Sequence, residues 1–295
     1  MQKQVAIVTG ASSGIGKGVA KKLVQEGIAV VLVNRDSEKA RLVQEELKTL
    51  NPEVSVELIS TDLSSMQSVR NFVDSFQKKH SKLDFLFACA GVLTTQRQVT
   101  VDGLEQMFAT NYLGHFLLIN LLLEQLKKAK SPTVLIVSGR GHKPTWLEGR
   151  KAASIDFEDL QGKKKFSFVK AAKQAVLARV LLTYGLAQRW KKENISVATV
   201  CPGLVKTALT RHFSFPLNQL AKLNFWLRGA HGIEQAGENL YQLASSYNIH
   251  GKYFEVSNKT KQVEVAHSSA LSYDEAVADQ LWTVSEELLG QEFRY

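Results

Sequence analysis

The 295-residue chain carries 37 lysines and arginines against 28 aspartates and glutamates, a formal net charge of +9, and is 44% hydrophobic. That length buries one large core without requiring a second domain, and no apolar run approaches the roughly 18–20 residues of a spanning helix. The basic residues are spread thinly, densest at Lys163-Lys164-Lys165 and Lys191-Lys192, so nucleic-acid binding is not expected. Only two cysteines occur, Cys89 and Cys201, far apart and in apolar surroundings. They read as reduced thiols in a reducing compartment. The N-terminus enters an apolar run almost at once, leaving no room for a targeting segment. A soluble cytoplasmic protein without a metal site is the expectation.

In chain order, the run Val5 to Val8 reads as a buried strand. It ends in a turn where Gly10, Gly14 and Gly16 precede a helix with Val19, Ala20, Leu23 and Val24 at helical spacing. Glycine suits this turn because a side chain would keep backbone from a pyrophosphate, and a helix N-terminus offers that anion free N–H groups. The context is the required one, with a strand before, a helix after and a second strand over 28–33. That strand runs into Asn34 and Arg35. A site for NAD places an acid there for the ribose 2′-hydroxyl, whereas a guanidinium suits a 2′-phosphate. The pair therefore favours NADP, with Lys17 as support.

A helix over 38–50, a strand over 54–59, the strand-end pair Asp62-Leu63 and a helix over 65–78 follow. A fourth strand over 83–91 closes at a glycine turn, and a long helix over 104–127 contains Asn111. Strand five covers 133–138. A loop over 139–162 and a helix over 169–190 then lead to strand six over 195–200. Pro202-Gly203 breaks the chain at the sheet's C-terminal edge, where ligands bind in such folds. The segment 213–227 is unusually apolar and aromatic. It reads as a core helix, a lid over an apolar ligand or a membrane-surface contact. A helix over 233–246, a strand over 252–255 and a helix over 273–289 complete the chain. The alternation argues one α/β domain over 1–295, a Rossmann-type doubly wound parallel sheet of about seven strands. The segment 204–232 would serve as its lid or cap.

With these residues in hand, the chain resembles the short-chain dehydrogenase/reductase family, and within it the retinol-dehydrogenase-like branch. Thr9-Gly-Ala-Ser-Ser-Gly-Ile-Gly16 is similar to the family's cofactor turn, so the resemblance implies nucleotide contacts at Gly10, Ser12, Ser13, Gly14, Ile15 and Gly16. Asn34, Arg35, Asp62 and Leu63 fall at the adenine side. Ala90-Gly91 resembles the end of an Asn-Asn-Ala-Gly motif, and Pro202-Gly203 with Thr207 resembles the nicotinamide-side Pro-Gly-x-x-x-Thr. Asn111 matches the asparagine of the catalytic helix. Leu160-Gln-Gly162, Asp274-Glu275 and the Leu281-Trp282 to Leu288 run resemble markers of the branch.

The family's chemistry uses a tyrosine acid, a lysine four residues later and a serine on strand five. Counted forward from Gly162 or backward from Arg189, the tyrosine position falls on Ala172. The lysine position is then Val176, and the serine position is Gly139. No tyrosine lies between Tyr112 and Tyr184. Alanine, valine and glycine hold no proton to give, and general acid–base catalysis is worth about 10²–10⁴ in rate. His142, after strand five, is a candidate substitute acid whose imidazole could titrate near neutrality, or else an exposed loop histidine.

Three functions stand open. One is an enzyme repurposed for alkene reduction, isomerisation or cyclisation, binding NADP(H) and a small hydrophobic molecule. The others are a non-catalytic NADP(H)-binding regulator and a carbonyl reductase with a displaced acid. The family also implies a homo-oligomer.

Overall fold

The computed structural model describes residues 4–35, 37–144, 152–206, 230–246, 248–257 and 259–295. Four strands lead the chain: β1 (Val5–Thr9), β2 (Ala29–Asn34), β3 (Val56–Ser60) and β4 (Phe85–Ala88). Helices α1 (Gly14–Gln25), α2 (Glu38–Leu50) and α3 (Met66–Lys79) connect them. Then come α4 (Gln106–Phe108), a π-turn (Ala109–Leu113), α5 (Gly114–Leu121), α6 (Leu123–Lys127) and β5 (Thr133–Val137). The second half adds α7 (Phe168–Arg189), β6 (Ser196–Cys201), α8 (Ile233–Ala244), β7 (Lys252–Val256), β8 (Val263–Val265) and α9 (Glu275–Leu289).

The sheet order is β3-β2-β1-β4-β5-β6-β7-β8. Every pairing is parallel except β7 with β8. Helices cover both faces, which is why the inner strands are apolar without alternation. One face packs Phe72, Phe76, Phe116, Leu177, Leu181 and Trp282. The other packs Val19, Leu23, Val43, Leu47, Leu240 and Leu243. The order reverses at β1, with β2 and β3 on one side and β4 and β5 on the other. A crevice therefore opens over the C-terminal ends of β1 and β4.

The single α/β domain with a doubly wound sheet matches the sequence reading, and two details correct it. An eighth strand exists: Val263-Glu-Val265 is short and largely exposed, so it leaves no apolar run. The helix read over 104–127 is broken, because the chain widens into the π-turn at Ala109–Leu113 and leaves helical geometry at Leu122. Both N-caps of α2 and α3 follow rule, with Ser37 accepting from the Ala40 N–H and Ser65 from the Ser68 N–H. No helix among the described residues is long and apolar enough to cross a membrane.

Helix α1 lies against α8 with backbone touching backbone. A Cβ on Gly18 would stand 1.9 Å from the Ile233 carbonyl oxygen, and one on Gly237 would stand 2.2 Å from that of Gly18. Neither neighbour is a side chain that can turn away. Gly18→Ala should therefore destabilise the fold by about 1–3 kcal/mol, read as a lowered urea midpoint. A variant as stable as the parent would contradict this packing.

Candidate functional site

The turn after β1 is closed by two backbone contacts. Gly10 has φ +69°, and a Cβ on it would stand 2.7 Å from Ala90 Cα. A Cβ on Gly16 would stand 2.6 Å from the Gly10 carbonyl oxygen. Helix α1 then starts at Gly14 (φ +56°) behind Ser13, whose side chain makes no capping hydrogen bond. The N–H groups of the first turn have no intrahelical partner. No acidic residue stands among them, so the turn suits an anion. Ser12 and Ile15 are half-buried in the same turn.

At the end of β2, Asn34 is only 7% exposed. Its Oδ1 accepts from the Ser12 N–H at 3.0 Å, while Nδ2 is buried without a partner. An orphaned donor of this kind costs stability unless a ligand accepts from it. Arg35 beside it is exposed. Lys17 is ion-paired with Glu46 at 2.6 Å. After β3, the Asp62 carboxylate accepts from the Ser64 N–H and hydroxyl at 2.9 and 2.7 Å. Leu63 is buried, and its carbonyl oxygen fills the place of a Cβ on Gly114, 2.1 Å away.

Across the crevice, the Ala90 N–H donates to Thr9 Oγ1 at 2.9 Å, and the same hydroxyl meets His115 Nε2 at 2.9 Å. Burial, with the nearby Arg179 charge, holds His115 well below its ordinary pKa. Asn111 sits in the π-turn, a form of helix frequent at functional sites. Its side chain is committed to the loop after Gly91: Oδ1 accepts from the Val92 N–H at 2.7 Å, and Nδ2 donates to the Val92 carbonyl at 2.9 Å.

The end of β5 lies against α7 at Val176. Ser138 Oγ donates to the Val176 carbonyl at 3.0 Å, and the Val176 methyls lie 3.8 and 3.9 Å from the Cβ position of Gly141. Ala172 and Val176 are half-buried, one turn apart on α7. A Cβ on Gly139 would meet nothing within 4 Å. Buried Pro202 and half-buried Gly203 (φ +71°) follow β6. Thr207 and the apolar segment 213–227 lie outside the described residues. The chain enters and leaves that stretch side by side, Lys206 N–H donating to the His231 carbonyl and His231 N–H to that of Leu204, each at 3.0 Å.

His142 is not the neutral-range titrating group that its loop position suggested. Its side chain is wholly enclosed, against the Tyr253 ring. Nδ1 accepts from the Ser269 N–H at 3.2 Å, so the ring's proton is assigned to Nε2, which is buried without a partner. Burial and the Lys143 charge push its pKa down to about 4.

One residue escaped the sequence reading. Arg179, one turn beyond Val176 on α7, is buried, and it donates from Nε, Nη1 and Nη2 to the carbonyls of Asn111, Val137 and Ala90. Burial pulls its pKa down to about 10, which leaves it charged at neutral pH. The available signal was a lone charge within the apolar stretch Ala175 to Leu182.

Comparison with known proteins agrees with this geometry. Residues 4–154 match the short chain dehydrogenase family. The chain is 34% identical to human (Homo sapiens) retinol dehydrogenase 11 over 287 residues, covering 97% of this chain and 86% of that protein. It is likewise 34% identical to human polyprenol dehydrogenase over 295 residues, covering 97% and 85%. Among solved structures, an uncharacterized protein of Mycobacterium paratuberculosis superposes with a TM-score of 0.77 at 28% identity, covering 100% of this chain and 96% of that one. The NADPH-dependent reductase YwfH shares the fold, with a TM-score of 0.70 at 17% identity over 87% of this chain and 98% of its own.

The neutral His142 has a measurable consequence. Its unfolded pKa lies near 6.5 and its folded one near 4, so between these values the unfolded chain binds more protons. Stability from this group is complete above pH 6.5 and is lost as pH falls towards 4, by about 3 kcal/mol at most. Denaturation midpoints of His142→Gln should fall less steeply than the parent's across that window. Parallel curves would place the imidazole in solvent instead.

Proposed function

The chain belongs to the short-chain dehydrogenase family with retinol-dehydrogenase-like relatives, and from that premise we propose that it binds NADP(H) and an apolar small molecule without the family's phenol-dependent carbonyl chemistry. The residues present fit the dinucleotide. The α1 turn would hold the pyrophosphate, and Asn34 Nδ2 is a buried donor awaiting an acceptor at the adenosine end. No acid ends β2, and Asn34 with Arg35 supports the phosphorylated form. When bound, the nicotinamide supplies or accepts a hydride.

One observation carries the reading: Ser138 at the end of β5 bonds the Val176 carbonyl of α7, so the positions that the resemblance assigns to serine, tyrosine and lysine, Gly139, Ala172 and Val176, would border one region and hold no side-chain proton or charge. Asn111 does not replace them, because both ends of its amide serve Val92. His142 faces Ser269 and stays neutral. At these three positions only small or apolar side chains remain, which supports a hydrophobic ligand such as those named for the retinol and polyprenol dehydrogenases. Chemistry that needs no strong proton donor suits it, with hydride addition to a conjugated alkene, isomerisation or cyclisation as the candidates.

The test is a gain of function. NADPH should bind the parent, seen as a change in its fluorescence, yet apolar aldehydes should not accelerate its oxidation. Gly139→Ser, Ala172→Tyr and Val176→Lys together should raise aldehyde reduction by about 10²-fold or more. A parent that already reduces the aldehyde as fast as the triple variant would refute the proposal.

A further inference from the structure

Helix α7 presents valine where the family resemblance implies an ammonium group, yet it is not without charge. Arg179, three residues on, is 7% exposed, and its guanidinium is spread over the carbonyls of Ala90, Val137 and Asn111. These close β4, end β5 and lie in the π-turn, so the cation sits directly under the C-terminal edge of the sheet. Among the described residues no carboxylate pairs with it. A Cβ on Gly91, at the crevice surface, would lie 3.8 Å from Nη2.

A buried cation without a counter-ion is weakly screened by water and salt, so its field extends further than that of a surface arginine. Carbonyl dipoles take three of its five N–H groups but leave its net charge. The half of the crevice that feels this charge follows from the fold. In such sheets the end of β2 takes the adenosine ribose, so the nicotinamide half of a bound dinucleotide would lie over β4 and β5. The oxidised ring carries a positive charge and the reduced ring carries none.

We infer that Arg179 is a specificity-determining residue that makes the crevice prefer the reduced dinucleotide, acting through its field and not by contact. This inference rests on the dinucleotide reading above. A lysine at 176 would have been a mobile ammonium able to bond the ligand. Arg179 is committed to three backbone oxygens and can only bias which charge state sits above it. The crevice would thus take up NADPH and release NADP⁺.

Equilibrium titration of the whole protein with NADPH and with NADP⁺ tests this without any turnover. The parent should bind NADPH at least about tenfold more tightly, a difference of about 1.4 kcal/mol. Arg179→Gln, which retains a donor for one carbonyl, should bring the two affinities within about threefold, and Arg179→Lys should keep the preference. General damage to the site would weaken both ligands alike and leave the ratio unmoved, which would overturn the assignment. If Arg179→Gln does not fold, the parent's ratio decides: tenfold or more supports the assignment, and less overturns it. Failure of the parent to bind either nucleotide would defeat the dinucleotide reading itself, and this one with it. Binding of both with an unmoved ratio would defeat this one alone.

Discussion

Backbone lies against backbone where Gly10 meets Ala90 and where Gly16 meets Gly10, and the site depends on that contact. Separations of 2.6 to 2.7 Å to the place a Cβ would take leave no room for any side chain. Only this approach lets α1 start close over the end of β1 with its first-turn N–H groups turned to the crevice. The glycines at Gly18 and Gly237 extend the same economy down the helix, where α8 holds α1 in place.

Polar groups then lace the strand ends together. Thr9 joins β1 to the turn after β4 and is itself met by His115. Asn111 fastens the next residues of that turn through Val92, and Arg179 ties β4, β5 and the π-turn from below. The Thr9 hydroxyl, the Asn111 amide and the Arg179 guanidinium are all spent on holding backbone, as burial demands of most polar groups. The crevice floor is consequently held at several points, while Gly139, Ala172 and Val176 carry no polar side chain. On the proposed reading, placement of a dinucleotide and absence of the acid–base side chains would be properties of different residues. One can persist without the other.

The parallel sheet was legible because buried parallel strands write themselves as largely apolar runs, as in Ala29–Asn34 and Thr133–Val137. The glycine turn was legible because its chemistry is local. Three things were not. The edge strand Val263–Val265 has no buried face to imprint a pattern. The π-turn at Asn111 keeps the composition of a helix while widening its backbone. The fates of His142 and Arg179 depend on residues 127 and 89 positions away, Ser269 and Ala90, which no local spacing encodes. A loop histidine proved to be a neutral core group, and a helix arginine proved to be the charge under the crevice.

The most direct measurement is a structure of the protein with NADPH, read for what stands within hydrogen-bond reach of a ligand oxygen placed over the nicotinamide. The proposed reading predicts the pyrophosphate at the N-terminus of α1, the 2′-phosphate near Asn34, and no polar side-chain group from residues 139, 172 and 176 around the reacting ring. A phenol, hydroxyl or ammonium group poised there from another part of the chain would contradict it.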